Sequence, residues 1–355
     1  MNDRTAMIRF PGSLGTALAA QLDSPPGRPL AYALFAHCFT CSKETLAAAR
    51  ISRALTARAI AVLRFDFTGL GGSEGEFANT NFSSNVGDLV TAAHWLREHH
   101  EAPKILIGHS LGGAAVLAAA GSIPGSAAVA TIAAPADPAH VLRLFEPSVQ
   151  DIERDGVARV VLADRAFTIK KQFLDDLAAH KMQERIASLR KALLVLHSPR
   201  DEVVDIDNAT RIFVAAKHPK SFVSLDTADH LLTRADDAVY VADVLAAWAG
   251  RYVGSSVRKT RETSAEPPGT VTVTETRSGK FMQDVRVGAH SFTADEPVAY
   301  GGDDAGPSPY DLLVAALGAC TAMTVRLYSD AKQLPLERVA VRLKHDKVHA
   351  ADCAE

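Results

Sequence analysis

Two stretches of the chain place a serine between glycines two residues away on either side: Gly108-His-Ser110-Leu-Gly112 and Gly71-Gly-Ser73-Glu-Gly75. A serine hydroxyl is a weak nucleophile until a base accepts its proton, and that base must be oriented by an acid on its other nitrogen. On a sharp strand-to-helix turn the hydroxyl stands clear of a sheet, small neighbours let backbones approach, and the helix N-terminus favours developing negative charge. Ser110 has that setting, because the apolar run KILIG leads directly into it and LGGAAVLAAA follows. Ser73 lies several residues past its strand in a polar loop with no helix start. Ser110 is therefore the candidate nucleophile for cleaving an ester, thioester or amide through an acyl-serine intermediate.

Its partners should follow in the chain, first an acid and then a histidine, each just after a later strand. ALLVLHSPRDEVV offers Asp201 and SFVSLDTADHLL offers His230, while Asp205 and Asp207 remain alternative acids. Charge developing on the substrate oxygen needs two backbone donors. Leu111 directly after the nucleophile supplies one, and Phe39 in His37-Cys38-Phe39, after the YALFAHC strand, supplies the other. His37 then shapes that loop and is not a second base.

Four cysteines in 355 residues are too few for a disulfide framework, so those that matter are expected to be reactive thiols in a reducing compartment. Cys38-Phe-Thr-Cys41 follows a strand and opens a helix, which admits a redox or zinc reading. A single pair with no second ligand pair is weak for zinc, and the loop already has an oxyanion role. His345, His349 and Cys353 recur every four residues and could line one helical face as metal ligands, but VAVRLKHDKV reads more as a strand, where that spacing has a different meaning. Neither a metal nor another cofactor is expected.

The elements that must position these groups give an α/β fold. Near-continuous apolar runs at 32–38, 60–67, 104–110, 128–135, 192–198 and 221–226 read as strands buried on both faces of a mostly parallel sheet. Segments 43–58, 85–99, 112–120, 207–216 and 236–249 carry apolar residues at helical spacing and should cover that sheet. Residues 137–190 are more charged, without an obvious strand, and read as a small helical lid shaping the acyl pocket. The stretch 254–268 is polar with prolines, as a linker would be, which bounds a first domain at 1–253 and a second at 269–355. In the second, alternating residues predict antiparallel strands, and PYDLLVAALGACTAMTVRLYSDAK predicts one long buried helix.

A formal charge of -3 offers no basic field for nucleic acid. The N-terminus lacks the pattern of a signal peptide, and the apolar runs read as too short or too interrupted to span a bilayer. The expected place is the cytoplasm and the expected partner a small acyl substrate.

Residues 9–249 resemble the α/β-hydrolase superfamily, close to its small esterase or acyl-peptidase-like members. The resemblance rests on His37-Cys38-Phe39, Asp66-Phe-Thr-Gly69-Leu-Gly71-Gly-Ser73, Gly108-His-Ser110-Leu-Gly112, Asp201 and His230, with Cys38 where a glycine is usual. Glu74 stands where a dinucleotide fingerprint needs its third glycine, so the Gly69 to Gly75 run reads as a tight turn. The tail YGGDDAGPSPYDLLVAALGACTAMTVRLY resembles the OsmC/Ohr family, and the whole chain a bifunctional hydrolase/OsmC family. That resemblance implies Cys320 as a peroxidatic thiol reducing organic hydroperoxides, Asp311 as the acid that positions an arginine, and a homodimer with sites at its interface. The family's resolving cysteine has no counterpart here except Cys353, out of position, so this domain reads as incomplete. A hydroperoxide reductase with an accessory hydrolase domain, and a non-catalytic scaffold, are the competing functions.

Overall fold

The structure is a computed structural model that describes residues 5–162, 165–253, 269–276, 279–288 and 290–346. The apolar runs form six parallel strands, β3 (Ala31–Ala36), β4 (Ile60–Phe65), β5 (Ile105–His109), β6 (Ala128–Ile132), β9 (Ala192–His197) and β10 (Lys220–Ser224). Two further strands that the sequence reading lacked, β1 (Thr5–Pro11) and β2 (Ala17–Asp23), add an antiparallel edge through β2 and β4. They escaped notice because β1 is mostly exposed and carries no continuous apolar run. The eight-stranded sheet runs β1-β2-β4-β3-β5-β6-β9-β10.

Successive residues of a strand point to opposite faces, and β5 illustrates the result. Leu106 joins the core beneath α2 (Phe82–His99) and α3 (Leu111–Ala119), whereas Ile105 and Ile107 join the core beneath α1 (Leu46–Thr56) and α8 (Ala235–Val253). Both cores are sealed from solvent, with Leu34, Leu63 and Leu106 on one face and Val62, Ile105 and Leu245 on the other, all fully buried. Burial of each such side chain contributes about 1.5–3 kcal/mol, which fixes the sheet as a rigid platform for the loops at its edge.

The insertion at 137–190 is not purely helical. After a short 3-10 segment (Pro138–Phe145) come α4 (Glu146–Asp155), a hairpin of β7 (Val157–Leu162) and β8 (Arg165–Lys170), then α5 (Lys171–Ala179) and α6 (Met182–Ala187). Gly156 in the left-handed conformation ends α4, and period-two alternation takes over: Val160, Leu162, Phe167 and Ile169 face inward while their neighbours face out. The charged exposed face hid that alternation from a reading weighted toward helices. α7 (Asp207–Ala215) completes this side of the sheet.

The chain divides into two compact units, residues 3–262 and 263–355. The expected linker, 254–268, lies outside the described residues. The second unit has an antiparallel sheet of β11 (Val271–Glu275), β12 (Gln283–Val287) and β13 (His290–Ala294), followed by α9 (Pro309–Ala331). A capping box between Ser308 and Asp311 starts α9. The long helix is present but not buried: Leu313, Leu317, Met323 and Leu327 are exposed, because three short strands cannot cover a helix of 23 residues. By length and composition α9 could cross a membrane, which corrects the expectation that no segment is long and apolar enough. Residues 335–346 form no strand, contrary to the reading of VAVRLKHDKV, and His349 and Cys353 lie outside the described residues.

Candidate active site

The sharp turn between β5 and α3 is built by glycines. Ser110 adopts φ 54 and ψ -125, a strained conformation for any residue with a side chain. A Cβ at Gly108 would stand 2.2 Å from the Gly112 carbonyl oxygen, and one at Gly112 would stand 2.4 Å from that of His37. The two glycines therefore let α3 begin immediately against β5 and the end of β3, which turns the Ser110 hydroxyl outward.

Ser110 Oγ lies 3.0 Å from His230 Nε2, and His230 Nδ1 lies 2.8 Å from Asp201 Oδ2. The loop after β9 supplies Asp201 and the loop after β10 supplies His230, so adjacent parallel strands deliver both to one sheet edge. Asp201 Oδ1 also accepts the backbone N–H groups of Val203 and Val204, each at 2.9 Å. Burial acts to raise its carboxyl, but the bonds from His230, Val204 and Val203 outweigh it and hold Asp201 below the usual carboxylate range. Of the alternative acids, Asp205 accepts the Asp207 N–H and neither bonds His230. Ser73 donates to the Asp66 carbonyl at 2.5 Å and accepts the Ala19 N–H at 2.8 Å, so it ties a turn and meets no base. In that turn the Asp66 carboxylate accepts from Lys43 Nζ at 2.9 Å and Gly72 N at 2.8 Å.

Two histidines that sequence reasoning missed stand behind these groups. His109 Nε2 donates to the His230 carbonyl oxygen at 2.7 Å, and His197 Nε2 donates to the Val204 carbonyl at 2.7 Å. Burial holds both imidazoles below the usual histidine range, and with His230 nearby His109 is lowered to about 4. Their signal in the sequence was position: each is the last residue of its strand.

Among the described residues, neither the Leu111 nor the Phe39 backbone N–H donates to a protein acceptor, which leaves both free for an oxyanion. His37 is wholly occupied, with Nδ1–H donating to the Cys38 carbonyl at 2.8 Å and Nε2 accepting the Phe67 N–H at 3.3 Å. Cys38 and Cys41 are joined in a disulfide, a correction to the expectation of reactive thiols. Four cysteines make no framework, but a turn with Cys41 N bonded to Cys38 O brings this pair together, their Cα atoms 5.3 Å apart. The bridge encloses Phe39 and Thr40, with Thr40 at φ 59.

A cleft of about 10 Å³, room for one water, lies beside Phe39 and Leu111 and is lined by Phe67, Leu70, Phe77, Asn85 and Ala115. Phe39 packs on Phe77 and on Phe173 of α5, each with centroids 5.7 Å apart, and Phe167 of β8 packs on Phe77 at 4.9 Å. The insertion thus forms the aromatic cover of the cleft.

In the second unit Cys320 is an exposed thiol on α9. Asp311 accepts from Ser308 N and Oγ at 3.0 and 2.7 Å as a helix cap, and no arginine pairs with it among the described residues.

The profile of an alpha/beta hydrolase family matches residues 33–299, and that of OsmC-like proteins matches residues 301–353. The esterase domain of a Rhodothermus marinus protein is 51% identical, covering 70% of this chain and 99% of that one, with a TM-score of 0.59. Est1E of Butyrivibrio proteoclasticus, solved with ferulic acid bound, is 17% identical with a TM-score of 0.58 over 70% of this chain and 100% of its own. Mouse alpha/beta hydrolase domain-containing protein 10 is 21% identical with a TM-score of 0.57, covering 69% and 99%. The last two likenesses concern the fold alone. An uncharacterized protein, YfhR of Salmonella typhimurium, is 23% identical over 178 residues, half of this chain and 57% of its own length.

Proposed function

We propose that this chain, which belongs to the alpha/beta hydrolase family, is a serine hydrolase cleaving an ester, thioester or amide of a small acyl substrate. The observation that carries the reading is the hydrogen-bonded series from Ser110 Oγ through His230 to Asp201. As Oγ attacks the carbonyl carbon, His230 Nε2 takes its proton and Asp201 stabilises the imidazolium. The Leu111 and Phe39 N–H groups receive the developing oxyanion. Collapse expels the leaving group, which takes the proton from His230, and a water activated by the same imidazole then releases the acid and restores Ser110. The 51% identity to an esterase domain supports an ester among these bond types.

Labelling of the full chain by a fluorophosphonate probe tests this, comparing the parent with Ser110→Ala and His230→Ala. Rapid labelling that both variants lose is the expected result. A folded parent that stays unlabelled overturns the acyl-serine mechanism.

The exposed thiol of Cys320 within the OsmC-like match supports a second reading, thiol-dependent reduction of an organic hydroperoxide. Peroxide consumption lost in Cys320→Ser supports it, and equal consumption by parent and variant removes it.

A further inference from the structure

We infer that Asn85 selects the acyl group, favouring short acyl chains that carry a hydroxyl or oxo group over plain alkyl chains; this rests on the serine-hydrolase reading. Asn85 lies on α2 and is 8% exposed, yet it lines the cleft beside Phe39 and Leu111. Its neighbours there, Phe67, Leu70, Phe77 and Ala115, are apolar. His37, also at the cleft, has both ring nitrogens occupied.

Among the described residues no protein group hydrogen-bonds the Asn85 side-chain amide, and its polar atoms are not sealed inside the protein, so they stay open to whatever occupies the cleft. An amide at an apolar cleft that loses water without gaining a partner is unfavourable, and such groups in native proteins meet a water or a ligand. A cleft with room for one water accounts for the unliganded protein. When a substrate carbonyl sits between Phe39 and Leu111, whatever enters the cleft displaces that water. An alkyl chain then leaves the amide unpaired, whereas a hydroxyl or oxo oxygen replaces the water's bonds. The buried lining at Asn85 and Ala115 suits the acyl part, which stays attached to Ser110 while the leaving group departs.

The test compares kcat/KM of the full chain for p-nitrophenyl butyrate and its 2- and 3-hydroxy counterparts, in the parent and in Asn85→Leu, with fluorophosphonate labelling as the check on folding. The parent is expected to prefer at least one hydroxy ester by about 10-fold, and the variant to lose that preference. Equal rates for all esters in the parent, or a preference that persists in a labelled variant, overturn the role of Asn85 and leave the hydrolase reading standing. A labelled parent that turns over none of the esters also overturns it. A parent that does not label overturns the hydrolase reading and this assignment together. Should Asn85→Leu fail to label, Asn85→Ala replaces it under the same criteria.

Discussion

The residue immediately before the candidate nucleophile, His109, donates from Nε2 to the carbonyl oxygen of His230 at 2.7 Å. The strand that presents the serine therefore also pins the loop of the histidine that faces it, across a gap of 120 residues in sequence between Ser110 and His230. In the proposed mechanism the His230 ring must be aimed at both Ser110 and Asp201, so loosening its backbone would loosen the proton path.

His109 is buried neutral, and its folded value near 4 lies below the value of about 6.5 expected when unfolded. The unfolded chain thus binds the extra proton first. The resulting loss of stability begins as pH falls through 6.5, grows down to about 4, and is absent above 6.5. Chemical denaturation is expected to show the parent about 2 kcal/mol less stable at pH 5 than at pH 6.5 from this group. His109→Gln, which cannot titrate, should show a correspondingly smaller pH dependence.

Asp201→Asn should lower kcat for a simple ester by about 10⁴-fold with little change in KM, because an amide favours the wrong histidine tautomer. The Asp201 carboxyl is held below its usual range, so its stabilising contribution is present above about pH 4 and lost only as pH falls through the lower folded value. The variant should accordingly lack the acid-side loss of stability that this carboxyl gives the parent below about pH 4. A steady-state kinetic comparison with parallel denaturation curves checks both statements.

Gly112→Ala places a methyl 2.4 Å from the His37 carbonyl and 2.5 Å from that of Ala36, both backbone atoms that cannot swing aside. The turn must open, at about 3 kcal/mol or more. A lower melting temperature together with slower fluorophosphonate labelling is expected. Gly121→Ala, where a Cβ meets no atom within 4 Å, is the control that should melt with the parent.

Joining Cys38 to Cys41 constrains the loop whose Phe39 N–H, in the proposed mechanism, meets the developing oxyanion. Cys41→Ser should reduce kcat by about 10-fold, less than the roughly 10²–10³-fold cost of removing one oxyanion donor outright, while KM changes less. Treating the parent with a dithiol should lower its rate to that of the variant, and the variant itself should not respond.

The fold and the candidate site differed in how legible they were. Continuous apolar strands such as ALLVLH and ILIGH are readable because burial on both faces leaves little room for polar residues, and the candidate positions Ser110, Asp201 and His230 were read from the strands that precede them. β1 and the lid hairpin were hidden because an exposed face dilutes the apolar signal to every second residue. The work of His109 and His197 was invisible for another reason: each bonds a backbone carbonyl of a different loop, and no local pattern encodes which carbonyl that is. The exposure of α9 likewise depends on how much structure surrounds it, which its own apolar sequence does not record.

The inward face of the lid hairpin, Val160, Leu162, Phe167 and Ile169, belongs to the same continuous core as Leu106 under the sheet. Cover and platform are therefore one cooperative body. Variation that trims this cover to admit larger substrates would draw on the margin that keeps the whole domain folded, and would need compensating changes elsewhere to restore it.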